Sequence, residues 1–263
     1  MKPKREHKHF FKFLGTAGAR FVMIKQLRSS GGMWLRYRDT DIMIDPGPGA
    51  LVRCARARPK LDATTLDAVI LTHQHLDHSN DINVMIEAMT EGGFKKRGAV
   101  YAPREALDPL GGVIFEYVKK YPETVSELKP GKFTVGDITF EVPCRNRHSV
   151  ETYGLKFYIA GQTVSLVSDT KYFGGLIDTY RDSDVLILNV VFKEPRDQYD
   201  HLSLPEAIEI VKKIKPKLAV LTHFGMGLIK MNLRKMEERS RKETGLNIIC
   251  AYDGFSIELP YKG

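Results

Sequence analysis

Four side chains able to bind a divalent metal ion, His73, His75, Asp77 and His78, fall within six residues of one another. Neutral imidazole together with carboxylate suits zinc and similar ions. The cluster follows Ala68 to Leu71 and Thr72 directly, a short apolar stretch of strand length. On a helix, residues 73 and 75 would point to different faces. On a strand they would share a face, but 77 and 78 would then diverge. A tight turn meets both demands: His73 and His75 serve one ion, while Asp77 and His78 swing toward a second.

Four residues do not complete two metal shells, and further donors stand where apolar segments end. His148 follows Val142-Pro143 and a short basic loop, Asp169 follows Leu166-Val167-Ser168, and His223 ends the segment Leu218 to Leu221 and Thr222. The expected assignment gives His73, His75 and His148 to one ion and Asp77, His78 and His223 to the other, with Asp169 linking them. Of eight histidines, His7 and His9 lie in a charged N-terminal segment read as a solvated tail. His201 is left over, just before Ser203. It is either a satisfied structural histidine or a hydrogen-bonding residue or general acid at the mouth of the site. Asp45 follows Ile42-Met43-Ile44 and precedes Pro46-Gly47-Pro48-Gly49. It is expected to orient a ligand histidine or the turn, or simply to cap the Pro-Gly turn.

These residues need strand ends to hold them. Phe10 to Leu14, Met33 to Tyr37, Asp41 to Ile44 and Ala68 to Leu71 read as short strands. Phe133 to Val135 and Ile138 to Val142 flank Gly136-Asp137, a hairpin signal, and Leu155 to Ile159 with Val164 to Val167 around Gly161-Gln162 form a second. Val185 to Val190 is continuously apolar, as in a sheet buried on both faces. Asp81 to Met89 is expected to be helical, as is Arg104 to Leu107 continuing through Gly111 to Lys120. Ser203 and Glu206 form a capping-box signature with Pro205 in the first turn, and Ala207, Ile208, Ile210, Val211 and Ile214 supply the helix's apolar stripe. A second, basic helix is expected over Leu228 to Lys242, ending at Gly245. Ile248 to Cys250 and Phe255 to Leu259 close the sheets. The whole reads as β-rich hairpins covered by helices. Asp67 to His73 also resembles Lys217 to His223, which suggests either two similar halves or a coincidence of two common strand sequences.

The chain has 263 residues, 43% hydrophobic and 27% charged, an ordinary globular composition. Pro and Gly are scattered, so residues 1–263 are expected to form a single domain. Cys54, Cys144 and Cys250 form no CxxC pair, which argues against a disulfide framework or a cysteine-rich zinc site. No apolar run is long enough to cross a bilayer and no signal-like stretch opens the chain, so the cytoplasm is the expected compartment and no membrane partner is expected. A formal net charge of +8 is consistent with a polyanionic substrate such as RNA or a nucleotide, or with simple solubility. The densest basic run is Arg53, Arg56, Arg58 and Lys60. Arg145 and Arg147 form a smaller one and are candidate substrate-binding residues.

At this point the residues resemble the metallo-β-lactamase superfamily. Thr72-His73-Gln74-His75-Leu76-Asp77-His78 is similar to its HxHxDH motif. Asp45 in Ile44-Asp45-Pro46-Gly47 resembles the first motif, His148 the third, Asp169 in Ser168-Asp169-Thr170 the fourth, and His223 the last. The resemblance spans nearly the whole chain and implies an α+β fold, an αββα four-layer sandwich of two similar halves, with the metals at one edge of the sheets. Within the superfamily the chain looks most like the branch of ribonuclease Z and related phosphodiesterases. That likeness rests on Asp169 as a bridging carboxylate, on His201-Leu202-Ser203 before a helix, and on Pro216 to Phe224. There are two departures. No extended Gly/Pro-rich arm stands between His78 and His148, and Gly15-Thr16-Ala17-Gly18 begins like the family's first turn and then diverges.

The resemblance implies a binuclear hydrolase with two divalent ions, zinc first and Mn2+ or Fe2+ next. Its substrate would be RNA or a small, cyclic nucleotide-type phosphodiester, with Asp77 and His201 as catalytic residues. A homodimer is an expectation for this size and family. The competing activity is hydrolysis of a carboxylic ester, thioester, lactone or β-lactam at the same centre. A non-catalytic nucleic-acid-binding protein is a third class.

Overall fold

The structure is a computed structural model that describes residues 9–18 and 20–263. Strands β1 (Phe10–Phe13), β2 (Met33–Tyr37), β3 (Thr40–Ile44), β4 (Ala68–Ile70), β5 (Ala99–Ala102) and β6 (Thr124–Glu127) belong to one sheet. Between them run helices α1 (Phe21–Ile24), α2 (Ala50–Arg56), α3 (Leu76–Ser79), α4 (Ile82–Met89) and α5 (Arg104–Leu107). The second sheet contains β7 (Gly131–Val135), β8 (Ile138–Val142), β9 (Leu155–Ile159), β10 (Gln162–Val167), β11 (Val185–Phe192), β13 (Leu218–Thr222) and β14 (Ile248–Cys250), and the two-residue β12 (Leu202–Ser203) pairs with β11. Its helices are α6 (Gly175–Thr179), α7 (Leu204–Ile214), α8 (Met226–Ile229) and α9 (Leu233–Thr244). The last strand, β15 (Ser256–Glu258), returns to pair with β1.

Period-two alternation sorts the apolar side chains into three interfaces. On β2, Met33 and Leu35 face the other sheet while Trp34 faces the helices. On β11, Val185 and Ile187 face the other sheet, while Leu186, Leu188 and Val190 meet α7 through Ile210 and Val211. Val69 and Met43 pack on Ile82, Met85, Ile86 and Met89 of α4. Three apolar interfaces separate four layers in the order helix, sheet, sheet, helix, which is the expected αββα sandwich.

The two halves share a plan. In the first sheet β1, β2 and β3 are antiparallel neighbours, and β3, β4, β5 and β6 then run parallel. In the second, β7 to β10 are antiparallel neighbours, and β10, β11, β13 and β14 run parallel. Thus β3 and β10 hold matching places, and so do β4 and β11. The strand β13 lies one place further out and matches β5. Two similar halves therefore exist, but the repeated Thr-His strands β4 and β13 occupy different places in them.

Several local expectations are corrected. The helix expected over Leu228 to Lys242 is two helices, because Asn232 Oδ1 accepts the Lys235 N–H at 3.1 Å and starts α9 afresh. Gly245 ends it in the left-handed region at φ 70°. Helix α5 stops at Leu107 and does not continue to Lys120. Asp108 precedes Pro109, which disfavours helical backbone before it, and its carboxylate accepts the N–H groups of Leu110 and Gly111. Only a 3₁₀ turn, Val118–Lys120, follows. The second hairpin turns on Ala160-Gly161, both at positive φ, with Gln162 already in β10. Strands β5 and β6 and helices α2 and α6 stand outside the sequence reading. His9 is half-buried against Tyr37, ring centroids 4.9 Å apart, and accepts the Arg38 N–H, so it is not a solvated tail residue. His7 lies outside the described residues. The three cysteines are free, and no helix among the described residues is long and apolar enough to cross a membrane.

The capping box on α7 forms as read. The Glu206 carboxylate takes the Ser203 N–H at 2.7 Å while Ser203 caps the helix start. Ser203→Ala should cost about 1 kcal/mol. In calorimetry it should lower the thermal midpoint by about 2–4 °C, and an unchanged midpoint would show the box contributes nothing to stability.

Candidate metal centre

Each predicted donor stands just beyond the carboxyl end of a strand, at one edge of the paired sheets. His73 follows β4, and the chain then turns through His75 into the single helical turn of α3, which carries Asp77 and His78. His148 lies beyond β8, Asp169 beyond β10, and His223 immediately after β13. The sharp turn between His73 and His78 is permitted by Gly47, whose α-carbon packs so closely on the Asp77 carbonyl that an added Cβ would lie 1.9 Å from that oxygen. On the other side Gly18 packs on the His223 carbonyl. Its N–H donates to the Phe224 carbonyl at 3.0 Å, and the Phe224 N–H donates to the Thr16 carbonyl at 2.9 Å. The Gly15 to Gly18 segment thus clamps the strand end that presents His223. Asp45 and His223 both adopt positive φ, 51° and 61°, a conformation uncommon outside glycine and concentrated at functional sites.

All seven predicted donors converge. His73, His75 and His148 form one group with mutually close ligand atoms, and Asp77, His78 and His223 form another. His148 Nε2 is 3.1 Å from His75 Nδ1, and His78 Nε2 is 2.9 Å from His223 Nε2. Asp77 Oδ2 lies 3.2 Å from His223 Nε2. Between the groups, Asp169 Oδ2 is 3.7 Å from His73 Nε2 and 3.4 Å from His78 Nε2. His201 faces the same carboxylate oxygen, with Nδ1 at 3.6 Å. It therefore sits within the cluster, and with a buried Nδ1 that has no hydrogen-bond partner it is not a satisfied structural histidine.

The surrounding hydrogen bonds fix which nitrogens point inward. Asp45 accepts the Thr72 N–H at 2.7 Å and, on its other oxygen, the Thr72 hydroxyl at 2.8 Å and His78 Nδ1–H at 3.0 Å. Because the Thr72 proton goes to Asp45, its oxygen accepts from His73 Nδ1–H at 3.0 Å and from Ser168 Oγ at 2.9 Å. The Asp200 carbonyl can only accept, so His148 Nδ1 carries the proton in their 2.8 Å bond. In consequence His73, His78 and His148 each turn Nε2 to the centre, the nitrogen left for a metal when Nδ1–H is held by an acceptor. Asn189 Nδ2 donates to Asp169 Oδ1 at 2.8 Å and leaves Oδ2 free. Sequence reasoning missed Ser168 and Asn189 as site residues, and used Thr72 only as part of a motif.

Charge follows the same pattern. Burial drives His73 well below the ordinary imidazole range, helped by the positive tendency of His78. Burial also lowers His75, and pushes His201 down to about 4. Burial works against a charge on His78 as well, but the carboxylates of Asp77 and Asp169 outweigh it and hold His78 well above the ordinary value. Asp169 is desolvated, yet His223, His78 and His201 keep its carboxyl well below the usual range.

A cation would complete this arrangement. Among the described residues, eight buried side-chain polar atoms lack a hydrogen-bond partner, and four of them meet here: His73 Nε2, Asp169 Oδ2, His201 Nδ1 and His223 Nδ1. Each such atom costs about 1–3 kcal/mol when nothing satisfies it. Donor spacings of 2.9 and 3.1 Å are close to the roughly 3.3 Å between donors round a small tetrahedral ion. The donor set fits divalent metal. Arg145 and Arg147 are exposed on the loop leading to His148, and the Arg147 guanidinium lies 5.0 Å from the Phe173 ring centre.

A family model described as a beta-lactamase superfamily domain matches residues 40–224. The uncharacterized protein MJ1374 of Methanocaldococcus jannaschii is 29% identical over 256 residues, covering 94% of each chain. Ribonuclease Z of Methanopyrus kandleri is 24% identical over 290 aligned positions, covering 94% of this chain and 97% of that one. That alignment is longer than the 263-residue chain, so the relative carries segments absent here. Among solved structures, the metallo-beta-lactamase fold protein YhfI of Bacillus subtilis superposes with a TM-score of 0.77 at 21% identity, covering 95% of this chain and 99% of that one. Family match, fold and donor cluster agree: the chain belongs to the metallo-β-lactamase superfamily and is a metal-dependent hydrolase with a binuclear centre.

Proposed function

We propose that this hydrolase is a phosphodiesterase acting on RNA or on a small nucleotide-type phosphodiester, cyclic forms included. In this reading His73, His75 and His148 would hold one ion, Asp77, His78 and His223 the other, and the Asp169 carboxylate would serve both. Zinc suits so many imidazoles, and Mn2+ or Fe2+ is compatible with the carboxylates. The observation that carries the phosphodiester reading is His201, an eighth donor beyond the six terminal ligands and the shared carboxylate, whose Nδ1 lies 3.6 Å from Asp169 Oδ2. The basic net charge of +8 and the similarity to a ribonuclease Z over nearly the whole chain support the same substrate class. The extra segments of that relative favour a short RNA end or a small nucleotide for this chain.

When bound, the two ions supply Lewis acidity, which lowers the pKa of water toward neutrality and offsets charge on the phosphoryl oxygens. Asn189 keeps the Asp169 carboxylate from rotating. Asp45, through Thr72 and directly, keeps the His73 and His78 rings in the productive tautomer. Arg145 and Arg147 draw the anionic substrate to the His148 side of the edge. His201 donates a hydrogen bond or proton to the leaving oxygen, and a phosphodiester placed beside it favours its protonated form.

Thr72→Val keeps the shape but leaves His73 Nδ1–H without its acceptor. Metal affinity, read by competition with a chelator, should fall by roughly 10–100-fold; unchanged affinity would dismiss the tautomer argument. His201→Ala should retain both ions while phosphodiester turnover falls by roughly 10²–10⁴-fold. Undiminished turnover in that variant would remove His201 from the mechanism. The wild-type enzyme should cleave phosphodiesters in a panel that also holds thioesters, lactones and β-lactams. Turnover confined to the carbonyl compounds would overturn the proposal in favour of ester hydrolysis.

A further inference from the structure

The loop joining β11 to His201 carries rings that the metal chemistry does not use. Phe192 ends β11, and its ring lies 6.0 Å from the His201 ring, centre to centre. The Tyr199 ring lies 5.4 Å from that of Phe192, and Tyr199 is 47% exposed. The Arg196 guanidinium covers Phe192 at 5.0 Å from the ring centre. A continuous path of rings therefore runs from His201 outward through Phe192 to Tyr199, with one cation on it.

This platform is tied to the centre. The carbonyl of Asp200 holds His148 Nδ1–H at 2.8 Å, and the Asp197 carbonyl accepts from Lys171 Nζ at 2.7 Å. The loop is thus fixed at two points beside residues that flank the donors. Tyr199 is half exposed and Phe192 partly so beside His201, and aromatic rings offer a large apolar contact area of specific geometry. Aromatic faces beside a guanidinium suit a planar, electron-rich ring rather than an aliphatic chain. Nucleobases have such faces, and stacking on protein rings is tolerant of base identity.

We propose that Phe192, Tyr199 and Arg196 form a nucleobase-stacking subsite, which seats the base of a nucleotide next to the phosphate handled at His201. The proposal deepens the phosphodiesterase reading and names its substrate class: phosphodiesters bearing a base within one nucleotide of the scissile bond, of either purine or pyrimidine type.

Binding separates the two ideas, because it requires no turnover. Calorimetric titration of the zinc-loaded protein with adenosine 5′-monophosphate and with ribose 5-phosphate, which lacks the base, compares the two ligands directly. Wild-type protein should bind the base-bearing ligand roughly tenfold or more tightly. Tyr199→Ala should bring the two affinities together while leaving that for ribose 5-phosphate unchanged, and Tyr199→Phe should retain the difference. Equal affinities in the wild type, or a difference that survives in Tyr199→Ala, would overturn the subsite. A base preference in a protein that cleaves no phosphodiester would uphold the subsite and refute only the phosphodiesterase reading.

Discussion

The carboxylate of Asp45 is the constraint from which the centre is built. It accepts three hydrogen bonds, two from Thr72 and one from His78, and it is held at a positive φ that few side chains adopt. Both of its oxygens face hydrogen-bond donors, and each accepts. Fixed acceptors determine where protons sit on their partners. Thr72 must then accept from His73, and two imidazoles from one motif turn Nε2 the same way. The backbone strain at Asp45 is offset by those bonds, and the chain gains a turn that no regular element could supply.

The matching places of β3 and β10 give this a second meaning. Asp45 follows β3 and Asp169 follows β10, so the two halves put a carboxylate at the same point of their plans. One has been enclosed by hydrogen-bond donors and serves as a frame. The other keeps an oxygen without a partner and faces three imidazoles. The difference lies in neighbours: Thr72 and His78 surround the first, whereas Asn189 occupies only one oxygen of the second.

Most of the donor set was legible because its residues are strong signals at the ends of apolar runs. Short apolar segments marked β2 and β11, turn signals marked the hairpins of β8 and β9, and a rare cluster of imidazoles marked the turn. The four-layer order came from the family resemblance and was met by three separate apolar interfaces. What escaped was decided by contacts distant in sequence. Strand β6 is polar and half exposed, and only its pairing with β5 makes it a strand. Asn232 could have sat in the middle of a helix, but its side chain took a backbone N–H and divided the element in two. Asn189 hid inside a run that read as pure core, since nothing in its neighbours announces that the strand ends at a metal centre. The roles of Ser168 and of the Asp200 carbonyl depend on rotamers and backbone direction, which spacing does not encode.

The donors of each group come from both sheets. His73 and His75 extend from the first and His148 from the second, while Asp77 and His78 are answered by His223 across the same seam. An ion held by either group would thus be a rivet through two layers that are otherwise joined by apolar packing and a few hydrogen bonds, such as Thr72 to Ser168 and Asp137 N–H to Thr40 Oγ1. Sliding one sheet against the other would pull the donors of each group apart. The stability of the protein then becomes a function of free metal concentration in its surroundings, rising logarithmically above the dissociation constant. Scarcity of the metal would then lower stability as well as activity.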